Sequence, residues 1–191
     1  MAGSARFTAI LDACVLYPQL VRDILMRLTF AGLYHARWSA TIENEWTRNL
    51  LEKMPGQARA IERTVLLMRE AVPDCLVVGH ESLIPGLELP DPDDRHVLAA
   101  AIAGHADAIV TYNLKDFPAE VLAVHHIEAQ HPDEFIMNQF ELHELAALTA
   151  IKEMRATWTH PARSAEELVK ALELRGLPQT AVYLAEASKL I

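Results

Sequence analysis

Four acidic residues stand where apolar segments of the chain give way to polar ones: Asp12 after "TAIL", Glu45 in "ATIENEW", Asp94 in "DPDDRHVLAAAI" and Asp116 after "IVTYNLK". Brought together, four carboxylates raise one another's pKa and strain the fold, because like charges a few ångströms apart favour protonation. A divalent cation removes that conflict. Hard oxygen donors, with no paired histidine and no thiol at ligand spacing, favour Mg²⁺ or Mn²⁺ over Zn²⁺. A metal held this way lowers the pKa of a bound water and stabilises charge on a reacting phosphoryl group, which is the chemistry of phosphodiester hydrolysis. Each acid alone has a simpler reading. An Asp after a strand is a turn former, Asp93 or Asp94 ahead of a helix is an N-cap that favours the helix dipole, and Glu45 is a solvated helix carboxylate. Their joint placement is what points to a site.

The elements that must position them are legible from pattern. "RFTAILDACVL" reads as a buried strand that stops at Asp12, and "QLVRDILMRLTFAGL" as a helix ending near Gly32. "YHARWS" is a second strand. Ser39 then caps a helix over "ATIENEWTRNLLEKM", whose Ile42, Trp46, Leu50 and Leu51 face inward with Glu45 beside that stripe. A helix from about Gln57 to Ala71, a strand in "DCLVVG", a helix "RHVLAAAIAGH" headed by Asp94, a strand "DAIVTYN" and a last strand "HHIEA" follow. Alternation of this kind implies parallel strands in an α/β sandwich, with sites at the carboxyl edge of the sheet. Asp12, Asp94 and Asp116 then meet at one edge, and Glu45 reaches it if its helix face tilts inward. From about Phe135 the pattern is helical only, so the chain divides into residues 1–137 and a helical extension, 138–191.

Composition narrows the function classes. The 191 residues are 51% hydrophobic and 23% charged, which suits a chain that buries a core and excludes a disordered one. The net charge of −9 argues against a nucleic-acid binder working through a broad basic face. Residues 22 to 69 reverse the sign, with 8 basic and 5 acidic residues, so an acidic centre beside a basic flank is expected. Cys14 and Cys75 have no ligand-like spacing and read as reduced core thiols. The first 18 residues make a poor signal peptide and are too short to span a bilayer, so no membrane association and a cytoplasmic location are expected. His125 and His126, adjacent on a strand, point to opposite faces and cannot both hold one ion. His96 reads as a surface helix residue, and Trp38, Trp46 and Trp158 as core or interface anchors rather than base-stacking platforms. Neither a Walker A loop nor GxGxxG occurs.

With those pieces in order, residues 5 to 136 resemble the PIN-domain nucleases, especially the VapC-like toxins of bacterial toxin–antitoxin modules. The resemblance rests on "ILDACVL", "SATIENEW", "DPDDRHVLAAAI" and "IVTYNLKDFP" taken together. It implies a PIN-like three-layer α/β sandwich around a central, mostly parallel sheet, followed by the all-helical extension. It implies that Asp12, Glu45, Asp94 and Asp116 form the catalytic Mg²⁺ or Mn²⁺ site, that Asn113 is a polar group beside it, and that Thr111 and Ser39 are positioning hydroxyls. Asp91, Asp93 and Glu43 are the alternatives if the register slips. The first motif departs from the family's usual Asp-Thr/Ser-Asn: here it reads Asp12-Ala13-Cys14, without the hydroxyl and amide that usually support the aspartate. The activity implied is endoribonuclease cleavage of structured RNA, often transfer or ribosomal RNA, restrained by a cognate antitoxin whose arginine enters the acidic groove. Basic residues of 22 to 69, with Arg95 and Lys115, are candidates to hold the RNA. The helical extension either packs on the first domain, mediates a homodimer or forms an antitoxin groove. Two rivals stand beside this reading: a phosphatase with Asp12 as nucleophile, weakened by Cys14 where a second Asp belongs, and a PIN-like module that binds RNA or protein without cleaving.

Overall fold

The computed structural model describes residues 7–159 and 163–191. Arg6, the first residue of the expected opening strand, and the rest of the leading segment lie outside the described residues. In chain order the elements are β1 (Thr8–Leu11), α1 (Ala13–Leu16), α2 (Gln19–Phe30), β2 (His35–Ser39), α3 (Ala40–Lys53), α4 (Ala58–Ala71), β3 (Leu76–Val77), α5 (Arg95–Ala103), β4 (Ala108–Val110), α6 (Ala119–Ala123), β5 (Glu128–Gln130), α7 (Pro132–Ala156), α8 (Ala165–Glu173) and α9 (Pro178–Glu186). The chain clusters into two compact units, Met1–Tyr17 with Tyr34–His131, and Pro18–Leu33 with Pro132–Ile191.

The first unit holds a five-stranded sheet in the order β3-β2-β1-β4-β5, with every pairing parallel. β1 lies at its centre, where Ile10 is level with Arg37 of β2 and Ile109 of β4. Short apolar strands joined by helical crossovers can close no other way, because parallel neighbours need a long connection. Ala9, Ile10 and Leu11 are fully buried, as are Ala108, Ile109 and Val110. Strands covered on both faces read as continuous apolar runs of this kind. The Ala99-Ala100-Ala101 run of α5 is also fully buried, its small side chains letting the helix lie close to its neighbours. Its end is tighter still: a Cβ at Gly104 would stand 2.8 Å from the Ala100 carbonyl oxygen and 3.0 Å from Val77 Cγ2. Trp38 and Trp46 are fully buried, as core anchors should be.

The second unit is helical. α2, an amphipathic helix early in the chain, counts with the C-terminal helices, whereas the sequence pattern had placed the boundary between residues 137 and 138. Nothing in the stripe of a single helix says which partner will cover it. α7 is two helices joined across a break at His143 (φ −148°, ψ 58°). Asp133, near its start, accepts from the N–H groups of Gln179 (2.8 Å) and Thr180 (2.9 Å) and from the Thr180 hydroxyl (2.7 Å), so it binds the first turn of α9. Ser164 opens α8 with a capping box: its hydroxyl accepts from Glu167 N–H, and the Glu167 carboxylate accepts from Ser164 N–H. Trp158 is half-buried with the Arg163 guanidinium 5.1 Å from its ring centroid, an arrangement closer to an anchor than to an open stacking face.

Two sequence expectations change. The last strand begins at Glu128, so His125 and His126 lie in the turn before it, with His126 at φ 58°. The opposite-faces argument therefore does not apply to them. β3 is only two residues long, because the chain after Val77 turns at Gly79 (φ 75°). Among the described residues no helix is long and apolar enough to cross a membrane.

Candidate active site

Asp12 follows the last residue of β1, and its N–H donates to the Val110 carbonyl of β4 (3.2 Å). That bond fixes the backbone at the carboxyl edge of the two central strands. Asp12 is 3% exposed. Its Oδ1 accepts from Ala13 N–H (2.6 Å), which makes it the cap of the one-turn α1. Oδ2 accepts from the Thr111 hydroxyl (2.7 Å) and lies 3.0 Å from Cys14 Sγ. Burial pushes the carboxyl above its ordinary value, against the three hydrogen bonds that pull it down, and the charge of Glu45 adds to the rise.

Thr111 is fully buried one residue past β4, so the positioning hydroxyl lies on the Asp12 carboxylate itself. Its oxygen also accepts from Asn113 N–H (3.0 Å). The side chain of Asn113 is exposed beside this corner. Cys14 departs from the expectation of an inert core thiol. It is only half-buried and sits within hydrogen-bonding reach of Asp12, Thr111 and Tyr112 N–H. Cys75 is the buried free thiol. The signal that could have singled out Cys14 was its place two residues after the aspartate, on the first turn that follows the strand.

Asp94 is half-buried at the head of α5, after a 3₁₀ turn at Pro92–Asp94. The simple reading of this residue, an N-cap, fails in one respect. Its backbone is in the right-handed helical region and its side chain makes no capping hydrogen bond. Asp91 does the capping instead, accepting from Asp93 N–H (2.9 Å), as a loop residue should. The Asp94 carboxyl is pushed up to about 6, first by burial and then by the charges of Asp12, Asp91, Asp116 and Glu45. Four carboxylates thus act on a fifth. Asp116 is half-buried at the end of the 3₁₀ turn Leu114–Asp116.

Glu45 lies on the second turn of α3 with its side chain 39% exposed, and its Oε2 is 3.6 Å from His96 Nε2, an ion-pair distance when the imidazole is protonated. The His96 side chain is 14% exposed, so it is not the surface helix residue expected. Glu43, the register alternative to Glu45, has another job. It is buried, accepts from Trp38 Nε1 (3.2 Å) and is gripped in two places by Arg69, at 3.0 Å from Nε and 2.5 Å from Nη2. Ser39 is fully buried, and its hydroxyl accepts from Ile42 N–H (3.2 Å) as the cap of α3.

The basic flank is thinner than the sequence count implied. Arg69 is paired with Glu43, Arg37 donates to the carbonyls of Asp74 and Gly104, and Arg22 is buried. The stretch 22–69 is also divided between the two units. Lys115 is exposed beside Asp116, and Arg95 is half-buried beside Asp94.

The carboxylates influence one another, yet among the described residues no three His, Cys, Asp or Glu groups stand close enough to grip a single ion. The two observations agree once range is considered: like-charge repulsion reaches well beyond the 2.0–2.6 Å of a metal–oxygen bond. Both the hardness of the donors and the excess negative charge fit a divalent cation.

Residues 8–115 match the family model described as PIN domain, and residues 132–186 match the model described as VapC50 C-terminal domain. Over 79 residues the chain is 43% identical to a protein of Mycobacterium tuberculosis (strain ATCC 25618 / H37Rv) named "Putative ribonuclease VapC50", an alignment covering 41% of this chain and 47% of that protein. The chain therefore matches about half the length of this curated relative. No solved structure matches the chain.

Proposed function

The chain belongs to the PIN-domain family and carries a VapC50-type C-terminal domain, and on that premise we propose that it is a metal-dependent endoribonuclease, the toxin of a type II toxin–antitoxin pair working in the cytoplasm. The observation that carries the proposal is the gathering of Asp12, Glu45, Asp94 and Asp116 toward the carboxyl edge of β1 and β4, where burial first, and then the charges of its neighbours, lift the Asp94 carboxyl to about 6. The name of the mycobacterial relative, a ribonuclease, supports the same substrate class.

In this reading Asp12, Glu45, Asp94 and Asp116 hold Mg²⁺ or Mn²⁺. Magnesium needs only one or two carboxylates, with water in its other positions, so a loosely gathered set suffices. When bound, the ion supplies a water of lowered pKa and stabilises charge on the reacting phosphate. The chain's own contribution is orientation and charge. Ala13 N–H and the Thr111 hydroxyl fix the plane of the Asp12 carboxylate. Thr111 passes that constraint to Asn113, which stands at the solvent side of the corner. Lys115 and Arg95, each one residue from a site aspartate, are the candidates to contact RNA phosphates near the carboxylates. Ser39 acts through α3: by accepting from Ile42 N–H it fixes the first turn of the helix that carries Glu45.

The negative edge that holds a cation also receives a guanidinium. An antitoxin segment with an arginine in the site, paired bidentately with two of the carboxylates, blocks metal and RNA together. Residues 138–191, which fall in the helical unit, are a candidate surface for that partner or for a second copy of the chain.

The test is cleavage of total RNA by the purified protein with Mg²⁺ or Mn²⁺, against chelator, with Asp12→Ala and Asp94→Ala in parallel. Cleavage that survives in both variants overturns the assignment. One observation favours a second reading, a PIN module that binds without cleaving: the absence, among the described residues, of three groups close enough to grip an ion. Calorimetric titration with Mn²⁺ separates the two, since the second reading requires no binding by the wild-type protein.

A further inference from the structure

Cys14 is the residue in the carboxylate corner that neither the motif nor the proposed chemistry accounts for. Its sulphur lies 3.0 Å from Asp12 Oδ2, 3.3 Å from Tyr112 N and 3.3 Å from Thr111 Oγ1. Donor bookkeeping assigns each contact. Tyr112 N–H can only donate, so the sulphur accepts there. The single hydroxyl proton of Thr111 goes to Asp12 Oδ2 at 2.7 Å, and the same oxygen accepts from Asn113 N–H. The thiol proton then has two oxygen acceptors within reach, of which the carboxylate is the charged and stronger one.

We propose that Cys14 is a positioning residue for Asp12: its thiol donates to Oδ2 while its sulphur accepts from Tyr112 N–H, clasping the aspartate at the end of β1 to the end of β4. The two halves of the Asp12 carboxylate are then held from different directions. Ala13 N–H holds Oδ1 from within the same turn, whereas Thr111 and Cys14 hold Oδ2 across the β1–β4 pair. Because Cys14 is two residues from Asp12 on a one-turn helix, the thiol ties that turn to the sheet edge and not merely to its own backbone. The function of this clasp rests on the reading of the carboxylates as a metal site.

Two readouts keep the clasp and the metal site distinguishable. The first is the S–H stretching band of Cys14, taken from the infrared difference between wild type and Cys14→Ser. A band at lower frequency than that of a free thiol, moving up in Asp12→Ala, is the expected result; a band at the free-thiol position, or one indifferent to Asp12→Ala, overturns the proposal. The second is Mn²⁺ affinity by calorimetry on the intact protein. Groups that orient metal-holding carboxylates are worth roughly 10–100-fold in affinity. Cys14→Ala is expected to lose about tenfold and Cys14→Ser, which keeps an O–H donor, to recover most of it. Wild-type affinity in Cys14→Ala overturns the clasp even if the band is shifted. If the wild type binds no Mn²⁺, the metal reading falls, while the infrared band still decides whether Cys14 holds Asp12. A failure of Cys14→Ala to fold leaves the Ser variant and the band to decide.

Discussion

Asp12 in the first unit and Asp133 in the second are both aspartates at a chain junction, 3% and 2% exposed, and their surroundings make opposite use of them. Asp133 meets the opening turn of α9, where unpaired N–H groups and the positive end of the helix favour a carboxylate. Asp12 meets a hydroxyl, a thiol and one N–H, but also the charge of Glu45, and burial carries its carboxyl upward. Glu43 gives a third solution, a bidentate arginine. Two of these buried acids are neutralised by the fold, and the third belongs to a group of carboxylates that is not. A buried carboxylate is thus evidence of function only when its neighbours leave its charge uncompensated.

Mutation can break that comparison at either end. The largest expected effect is at Asp12: Asp12→Ala should lower RNA cleavage by about a thousandfold or more, the several kcal/mol of charge stabilisation that a bound metal provides. Gel assays read this, and the melting temperature of the metal-free variant should not fall in proportion. Asp133→Ala should do the reverse. It removes the acceptor of buried donors at the start of α9, a loss of about 3 kcal/mol in denaturant unfolding, with cleavage per folded molecule unchanged. If Asp133→Ala abolished cleavage in fully folded protein, the contrast between the two aspartates would collapse.

A smaller effect sharpens the comparison through pH. The Asp94 carboxyl is raised in the fold from 3.8 to about 6, so the native state holds its proton more tightly than the unfolded chain. Stability from this group is fully present below about pH 4 and is lost as pH rises through about 6. In metal-free protein Asp94→Asn should therefore stabilise the fold near pH 7, by on the order of 1 kcal/mol after solvent screening of this half-buried group, and flatten the stability profile between about pH 4 and 6. Thermal melts across that range check the sign. Mn²⁺ should raise the melting temperature of the wild type more than that of Asp94→Asn, because only binding to the native state stabilises it. The smallest effect is at the exposed cap of the second unit: Ser164→Ala should lower stability by about 1 kcal/mol, visible in the same melts and without change in cleavage.

Much of the fold was legible because short apolar runs alternating with helical stripes leave parallel pairing as the only economical solution. Asp12, Asp94 and Asp116 fall at the edge that topology predicts. Other features depended on contacts made at long range. Asp94 resembles a helix cap in sequence, and only its backbone conformation and bare carboxylate distinguish it from one. Glu45 and its register alternative Glu43 are two positions apart on α3; what separates them in the structure is Arg69, 26 residues from Glu43. Cys14 looked like a core thiol because its partners Thr111 and Tyr112 lie nearly a hundred residues away. The pairing of α2 with the C-terminal helices was likewise invisible, since an apolar stripe records that a helix is covered and not by what.

The bond from Thr111 to Asp12 spans 99 positions of chain and joins neighbouring strands at the centre of the sheet. During synthesis, a polypeptide that has emerged only through β2, α3 and α4 already contains Asp12 and Glu45, yet lacks the strand that orients the first and the helix that brings Asp94. Closing so long a loop is slow compared with forming any of its helices. On the proposed function, an activity assembled this way would be withheld from the nascent chain until β4 has docked, so the carboxylate corner would stay incomplete for the greater part of the first unit's translation.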